Sequence, residues 1–340
     1  MPRYGFNFQW MFSKDKPDAV PSPPDLKALD FLAEHGFDFV RVTTDYRFWT
    51  KDADYFHPDE NVIKIIDSYL SACADRNIQM SLNIHRAPGY CINRNDLETH
   101  DLWSDSIAQD AFVFLWETFA KRYKTYSNAN LNFDLLNEPP SEGWASTPKF
   151  TRAGHEQLMR RTVSAIRAID PKREISIDGL GGGNIAMPEL ADVKVIQSCR
   201  GYQPMELTHY EASWTKPWLD NLPVPTWPLK TKTKLWNKDT LREFYAPWRE
   251  LETKGVFVHV GEFGCYNKTP NVAALAWFAD LLSLFKEFKW GYALWGFNDA
   301  FGIANHGRPD IKYEKYKGYN VDRKLFELYL NNRVVSRRKR

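Results

Sequence analysis

The sequence predicts an α/β fold, a single (β/α)8 barrel domain spanning residues 1–340, on three observations. The chain has 340 residues, and one such barrel takes about 250 residues plus insertions. Short apolar runs alternate with longer amphipathic segments, as expected when a covering helix follows each parallel strand. The hydrophobic fraction is 43% and the charged fraction is 26%, a balance typical of a globular chain with a large buried core.

The apolar runs number eight, the strand count of a barrel of this type. We expect strands at residues 4–8, 37–42, 80–85, 131–137, 174–178, 205–210, 257–263 and 292–297. Amphipathic patterns predict helices at residues 24–35, 61–76, 105–123, 151–168, 240–254, 274–288 and 323–330, with a weakly helical stretch at 188–195.

Residues 211–238 break this alternation, since they contain four Trp and four Pro without a clean period. Long irregular segments in compact domains are usually functional or disordered, and the tryptophans argue against disorder. We therefore expect an aromatic-rich insertion after the sixth strand, at the barrel face where such enzymes place their sites.

Charge and composition exclude several classes of function. Lys and Arg total 45 against 43 Asp and Glu, and the concentrated basic run is the tail 333–340, which we expect to be a solvated terminus. We therefore expect no nucleic-acid partner.

No apolar run reaches about 18 residues and no leader is visible. This predicts no membrane partner and a cytoplasmic protein, or a secreted one if a leader was trimmed.

The four cysteines are widely spaced, without a CxxC pair. This spacing favours free thiols over a zinc site or a disulfide framework. The residues are Cys73, Cys91, Cys199 and Cys265.

Polar and aromatic residues at predicted strand ends are the candidates for function, because barrel interiors fill with packed side chains. In chain order they are Arg41, His85, Asn137, Glu138, His209, Tyr210, Glu262 and Trp295.

Glu138 and Glu262 follow two different apolar strands and form a candidate carboxylate pair. Cleavage of a glycosidic bond needs one carboxyl group that holds a proton and one that stays ionised. Arg41 would favour the charged form of a nearby carboxylate, whereas burial would keep its partner protonated.

Four motifs resemble glycoside hydrolase family 5, the cellulase family, over roughly residues 4–330. They are Asn83-Ile84-His85-Arg86-Ala87-Pro88-Gly89-Tyr90, Leu136-Asn137-Glu138-Pro139, Gly261-Glu262-Phe263-Gly264 and Leu294-Trp295-Gly296-Phe297. The first run looks like that of compact bacterial β-1,4-glucanases.

The resemblance implies a retaining double displacement, with Glu138 as acid/base and Glu262 as nucleophile about 5–5.5 Å apart. It further implies that Asn137 binds the sugar 2-hydroxyl and that His85 binds the sugar next to the cleaved bond. Arg41 and Tyr210 would hold the nucleophile, and Trp295 would be the aromatic floor. Trp214 and Trp218 of the insertion could stack on sugar faces.

One position departs from the family. The sixth strand usually reads His-x-Tyr, but Thr208-His209-Tyr210 makes the two residues adjacent, so on a regular strand they face opposite ways. Tyr210 is therefore favoured over His209 as the residue facing the site.

We expect a monomer that acts on oligo- or polysaccharides, with β-1,4-glucan or gluco-oligosaccharides as the first substrate class. A β-mannan or β-mannoside hydrolase is the alternative enzyme, since the fold does not choose the sugar. A non-catalytic carbohydrate-binding barrel is the alternative of another class. Neither a metal nor a cofactor is expected, because the first strand lacks a His-x-His pair and Gly179–Gly183 lacks the Lys of a phosphate loop.

Overall fold

The computed structural model describes residues 2–215 and 219–334, in which eight strands form a closed parallel barrel. The strands are β1 (Tyr4–Met11), β2 (Phe39–Asp45), β3 (Gln79–Arg86), β4 (Leu131–Asp134), β5 (Ile175–Asp178), β6 (Ile196–Gly201), β7 (Val258–Phe263) and β8 (Gly291–Leu294). Their hydrogen-bonded order is β1-β8-β7-β6-β5-β4-β3-β2. The predicted (β/α)8 fold is confirmed.

Seven of the predicted strands coincide with barrel strands, but the sixth prediction was wrong. Residues Met205–Thr208 form a helical turn, and the sixth strand is β6. That strand carries Gln197, Ser198 and Arg200, all buried, so its sequence lacks the apolar run that marks the other strands. Because these buried side chains are polar, a search for apolar runs did not find this strand.

The principal helices follow the predicted positions. They are α1 (Leu26–Glu34), α2 (Glu60–Ala74), α3 (Ser106–Tyr123), α4 (Arg152–Ile169), α5 (Lys238–Phe244), α6 (Ala246–Thr253), α7 (Asn271–Phe288) and α8 (Arg323–Asn331). The predicted helix 240–254 is divided into α5 and α6, and the weak stretch is a 3-10 helix, Pro188–Val193. Side-chain oxygens of residues before α1, α2, α4, α5 and α8 accept backbone N–H groups, as N-caps do: Asp25, Asp59, Thr151, Asn237 and Asp322.

Contacts divide the chain into two compact units, and the expectation of one domain stays a prediction. The major unit comprises Phe8–Cys199 and Leu251–Val258, and the minor unit comprises Met1–Asn7, Arg200–Glu250 and His259–Arg340.

Within the major unit, β3, β4 and β5 share a buried polar layer. Ser81 Oγ donates to Asn132 Oδ1 at 2.7 Å, and Asn132 Nδ2 donates to Ser176 Oγ at 3.1 Å. Ser81 and Asn132 are also direct partners in the β3–β4 pairing. The amide of Asn132 thus links three neighbouring strands inside the barrel wall.

Within the minor unit, the predicted insertion 211–238 follows β6 and contains a short hairpin, Leu229–Lys230 paired with Leu235–Trp236. Trp227 Nε1 donates to Asp280 Oδ2 on α7 at 2.8 Å. Trp236 is buried, and Lys234 Nζ lies 3.7 Å from its ring centre. These two tryptophans therefore anchor the insertion. A second hairpin, Glu314–Tyr316 with Tyr319–Val321, precedes α8.

All four cysteines are free, as their spacing predicted, and the structure shows that all four are buried. In the described part of the chain, no helix combines the length and apolarity that crossing a bilayer requires.

Candidate active site

Glu138 lies in the major unit, four residues beyond the end of β4. The chain leaves the strand through buried Leu135 and Leu136, and the Asn137 N–H donates to the Ile84 carbonyl on β3 at 3.1 Å. Glu138 then adopts a φ of 47°, in the left-handed region, and is partly exposed. The backbone therefore turns sharply at this carboxylate.

Arg41, Asn137 and His85 form a buried row in the same unit. Arg41 Nη2 donates to Asn137 Oδ1 at 2.9 Å, and the Asn137 amide nitrogen lies 3.3 Å from His85 Nε2. Arg41 Nε donates to Asp134 Oδ2 at 2.5 Å, and Nη2 lies 3.7 Å from Asp178 Oδ2. The guanidinium thus neutralises two buried carboxylates while it orients Asn137. A role of Arg41 toward Glu262 stays a prediction.

The His85 ring packs edge-on against Phe12, with ring centres 4.7 Å apart. Phe12 follows β1, Arg41 lies on β2, His85 lies on β3 and Asn137 follows β4, so four strands contribute to this group of side chains. The structure brings His85 and Asn137 together, and their roles toward the sugar stay predictions.

Glu262 lies in the minor unit near the end of β7 and is buried. Each of its carboxylate oxygens accepts a hydrogen bond from a side chain at the end of β6. Arg200 Nη2 donates to Oε1 at 3.2 Å, and the Tyr202 hydroxyl donates to Oε2 at 3.1 Å. The guanidinium supplies the opposite charge that a buried carboxylate requires.

Arg200 and Tyr202 were missed because the sixth strand was predicted at residues 205–210, nine residues later than the observed Ile196–Gly201. The segment Arg200-Gly201-Tyr202 has the spacing of the family's His-x-Tyr pattern, with Arg in place of His. That spacing was the signal that could have found them. Tyr202, and not Tyr210, is the tyrosine that donates to Glu262.

His209 and Tyr210 follow the helical turn instead of a strand. The His209 ring packs against Tyr202, with ring centres 5.2 Å apart, and against Phe301 at 5.6 Å. Burial lowers the pKa of His209 to about 4, so its imidazole is neutral at pH 7. Tyr210 is partly exposed, and beside burial the neighbouring Glu211 raises its pKa.

Trp214 is the exposed end of an aromatic cluster in the minor unit. Its side chain is 48% exposed, and it packs on Tyr266 with ring centres 5.0 Å apart and on Phe301 at 6.2 Å. The flat face it offers to solvent suits sugar stacking. Trp218, the other predicted platform, lies outside the described residues.

Trp295 and Asp299 lie in the loop that follows β8. The Trp295 N–H donates to the Phe263 carbonyl at 2.8 Å, and its side chain is partly exposed. Asp299 Oδ1 accepts the Phe301 N–H at 2.9 Å, and burial raises the pKa of this carboxyl to about 6.

Among residues 2–215 and 219–334, no three His, Cys, Asp or Glu side chains are arranged to hold a metal ion.

Residues 3–301 match the profile of the cellulase family, glycosyl hydrolase family 5. Endoglucanase C of Acetivibrio thermocellus is 29% identical over 335 residues, covering 89% of this chain and 92% of the relative. Cellodextrinase A of Ruminococcus flavefaciens is 22% identical over 289 residues, covering 83% and 80%.

Solved structures share the fold. A glycoside hydrolase crystal structure superposes with a TM-score of 0.95 at 60% identity, covering 98% of this chain and 100% of that chain. Thermotoga maritima Cel5A in complex with mannotriose reaches a TM-score of 0.75 at 21% identity, covering 96% and 97%. At that lower identity the likeness is one of fold alone.

Proposed function

Because the chain belongs to glycosyl hydrolase family 5, the cellulase family, and is therefore a glycoside hydrolase, we propose that it cleaves β-1,4-linked glucan or gluco-oligosaccharides with retention of configuration. The observation that carries this proposal is the contrast between its two candidate carboxylates. Glu262 is buried, with an arginine and a tyrosine on its two oxygens, whereas Glu138 is partly exposed on a sharply turned backbone.

In the proposed first step, Glu138 gives its proton to the glycosidic oxygen while Glu262 attacks the anomeric carbon. The bond from that carbon to the leaving oxygen breaks, and a glycosyl ester forms on Glu262. In the second step Glu138 removes a proton from water, whose oxygen displaces the Glu262 carboxylate. Two inversions give net retention.

Arg200 and Tyr202 support the nucleophile role, because their hydrogen bonds hold both oxygens of Glu262 and fix the orientation of its carboxyl group. Asn137, oriented by Arg41, is proposed to bind the 2-hydroxyl of the sugar, and His85 the same sugar. Trp214 and Trp295 are proposed as sugar-stacking faces, and His209 as support for Tyr202.

The glucan assignment is supported by the relatives named endoglucanase and cellodextrinase. The alternative, a β-mannan or β-mannoside hydrolase, is supported by the mannotriose complex of a protein with the same fold. A product-resolved screen of carboxymethylcellulose, lichenan, glucomannan, cello-oligosaccharides and manno-oligosaccharides separates them. Preference for glucomannan and manno-oligosaccharides would replace the glucan assignment.

The carboxylate roles are tested by two alanine variants. Glu262→Ala should reduce turnover of an aryl β-cellobioside by roughly 10⁴-fold or more, with azide restoring part of it as a product of inverted configuration. Glu138→Ala should impair substrates with poor leaving groups far more than activated ones, since only the former need full protonation.

The matched control is Glu189→Ala, which removes a carboxylate paired with Arg152 at 2.6 Å in the helical layer. It should keep wild-type turnover. Unchanged activity of Glu262→Ala, or equal losses of Glu138→Ala on both substrate types, would contradict the respective assignment.

A further inference from the structure

The backbone conformation of Glu138 is unusual for its residue type. Its φ of 47° lies in the left-handed region, which few residues other than Gly, Asn and Asp adopt. Such conformations persist only when the surroundings hold them, and they cluster at functional sites. The contacts that hold this residue are therefore informative.

Two hydrogen bonds fix the backbone of Glu138 from both sides. Its N–H donates to Asp178 Oδ2 at 2.9 Å, and its carbonyl accepts the Tyr90 hydroxyl at 2.6 Å. Asp178 is fully buried at the end of β5, 3.7 Å from Arg41 Nη2. Burial raises the pKa of Tyr90 well above its ordinary value, so its hydroxyl keeps the proton that it donates.

Tyr90 is itself held rigidly. Its backbone exchanges hydrogen bonds with Ala87 at 2.9 and 3.0 Å, which closes a tight turn. Gly89 in this turn has a φ of 81° and lies so close to Leu102 that a Cβ there would stand 2.5 Å from its backbone nitrogen. The Tyr90 ring packs edge-on against Trp103, with ring centres 4.9 Å apart.

We propose that Tyr90 and Asp178 are positioning residues that lock the backbone of Glu138 in its left-handed conformation and so aim its carboxyl group at the leaving-group oxygen. The proposal rests on the proposed acid/base role of Glu138. The φ angle sets the direction in which Cβ leaves the backbone, so a change in φ swings the whole carboxyl group. A misplacement of about 1 Å is enough to cost a catalyst about a hundredfold in rate.

The test is Tyr90→Phe, which removes the hydroxyl and leaves the ring. We expect kcat/KM on cellotetraose, which has a poor leaving group, to fall about tenfold to a hundredfold. On dinitrophenyl β-cellobioside, whose leaving group needs no proton, kcat/KM should fall less than about threefold. Asp178→Asn, which loses the charge but keeps an oxygen acceptor, should show the same selectivity to a smaller degree.

The matched control is Tyr69→Phe. Tyr69 is also fully buried, and its hydroxyl donates to the Ser22 carbonyl at the same distance of 2.6 Å, in the packing of α2. This variant should lose stability much as Tyr90→Phe does while the ratio of the two kcat/KM values stays at the wild-type level.

Equal losses on both substrates in Tyr90→Phe, or no loss on either, would overturn the proposal. If Tyr90→Phe does not fold, Asp178→Asn tests the proposal by the same ratio of kcat/KM on cellotetraose to kcat/KM on dinitrophenyl β-cellobioside. Glu138→Ala on the same substrates separates the two proposals. If Glu138→Ala is selective for the poor leaving group and the positioning variants are not, only the backbone lock fails; if Glu138→Ala is unselective, both fail.

Discussion

Arg200 gives Glu262 a cationic partner whose charge does not titrate. A guanidinium stays protonated throughout the accessible pH range, whereas the imidazole found at this position in the family's His-x-Tyr pattern changes charge near neutrality. Arg200 is fully buried and lies 3.2 Å from Oε1 of Glu262. The charge opposite the proposed nucleophile is therefore constant wherever the protein is folded.

Asp299, in contrast, should make stability depend on pH. Its pKa of about 6 lies above the ordinary 3.8 because it is partly buried. Between pH 4 and 6 the folded state then binds more protons than the unfolded state, so the free energy of unfolding falls as pH rises. Asp299→Asn removes this titration while its side-chain oxygen still accepts the Phe301 N–H.

We expect Asp299→Asn to gain on the order of 1–2 kcal/mol of stability relative to the wild type between pH 4 and 7, allowing for its partial exposure. Urea unfolding of both proteins at several pH values measures this difference. A difference that stays constant over this range would rule out the raised pKa.

Among the secondary-structure elements, the turn after β3 positions Tyr90, whose hydroxyl bonds the backbone of Glu138. Ala87 and Tyr90 close the turn, and the left-handed Gly89 allows the chain to pass against Leu102. The turn therefore depends on glycine for two separate reasons, backbone conformation and space.

Comparing Gly89→Ala with Gly255→Ala separates the effect of backbone conformation from the effect of steric space. Both glycines have left-handed φ angles, 81° and 78°, but a Cβ at Gly255 would meet nothing within 4 Å. Gly255→Ala should cost about 1–2 kcal/mol of unfolding free energy from conformation alone, and Gly89→Ala at least about 2 kcal/mol more from the clash with Leu102. Chemical denaturation measures both, and equal costs would show that the turn relaxes freely.

β6 is the barrel strand that the hydrophobicity pattern did not predict. A continuous apolar run predicts a strand whose side chains are all buried against other apolar groups. In β6 the buried positions include Gln197, which hydrogen-bonds the Met187 backbone outside the strand, and Arg200, whose partner Glu262 lies 62 residues further along the chain. Local composition cannot reveal such partners.

For the whole molecule, the sequence was sufficient for the fold class, the family and seven strands, because alternation and short motifs are local properties. It also named Asn137 and His85 as strand-end candidates, and the structure places these two side chains 3.3 Å apart. The sequence did not identify Arg200 and Tyr202 as site residues, because the sixth strand was predicted at the wrong position. The left-handed backbone of Glu138 could not be predicted either, since it depends on Tyr90, distant in sequence.

The four buried thiols report on the integrity of the whole fold. Burial raises the pKa of Cys73 and of Cys91 to about 12 and also raises that of Cys265, which suppresses the reactive thiolate. We expect almost no reaction of the native protein with a disulfide reagent at pH 8 and the release of four equivalents in denaturant. Fast labelling of native protein would indicate local opening at a cysteine.

The polar layer of Ser81, Asn132 and Ser176 favours one alignment of neighbouring strands in the barrel. β3, β4 and β5 are each buried along their whole length, so sliding β4 by two residues against its neighbours would keep each side chain on its own face, and burial alone would not oppose the error. Such a slide would separate the Asn132 amide from both serines and leave it unsatisfied, at a cost of about 1–3 kcal/mol. Three small side chains thereby discriminate against misaligned barrels that the apolar core would tolerate.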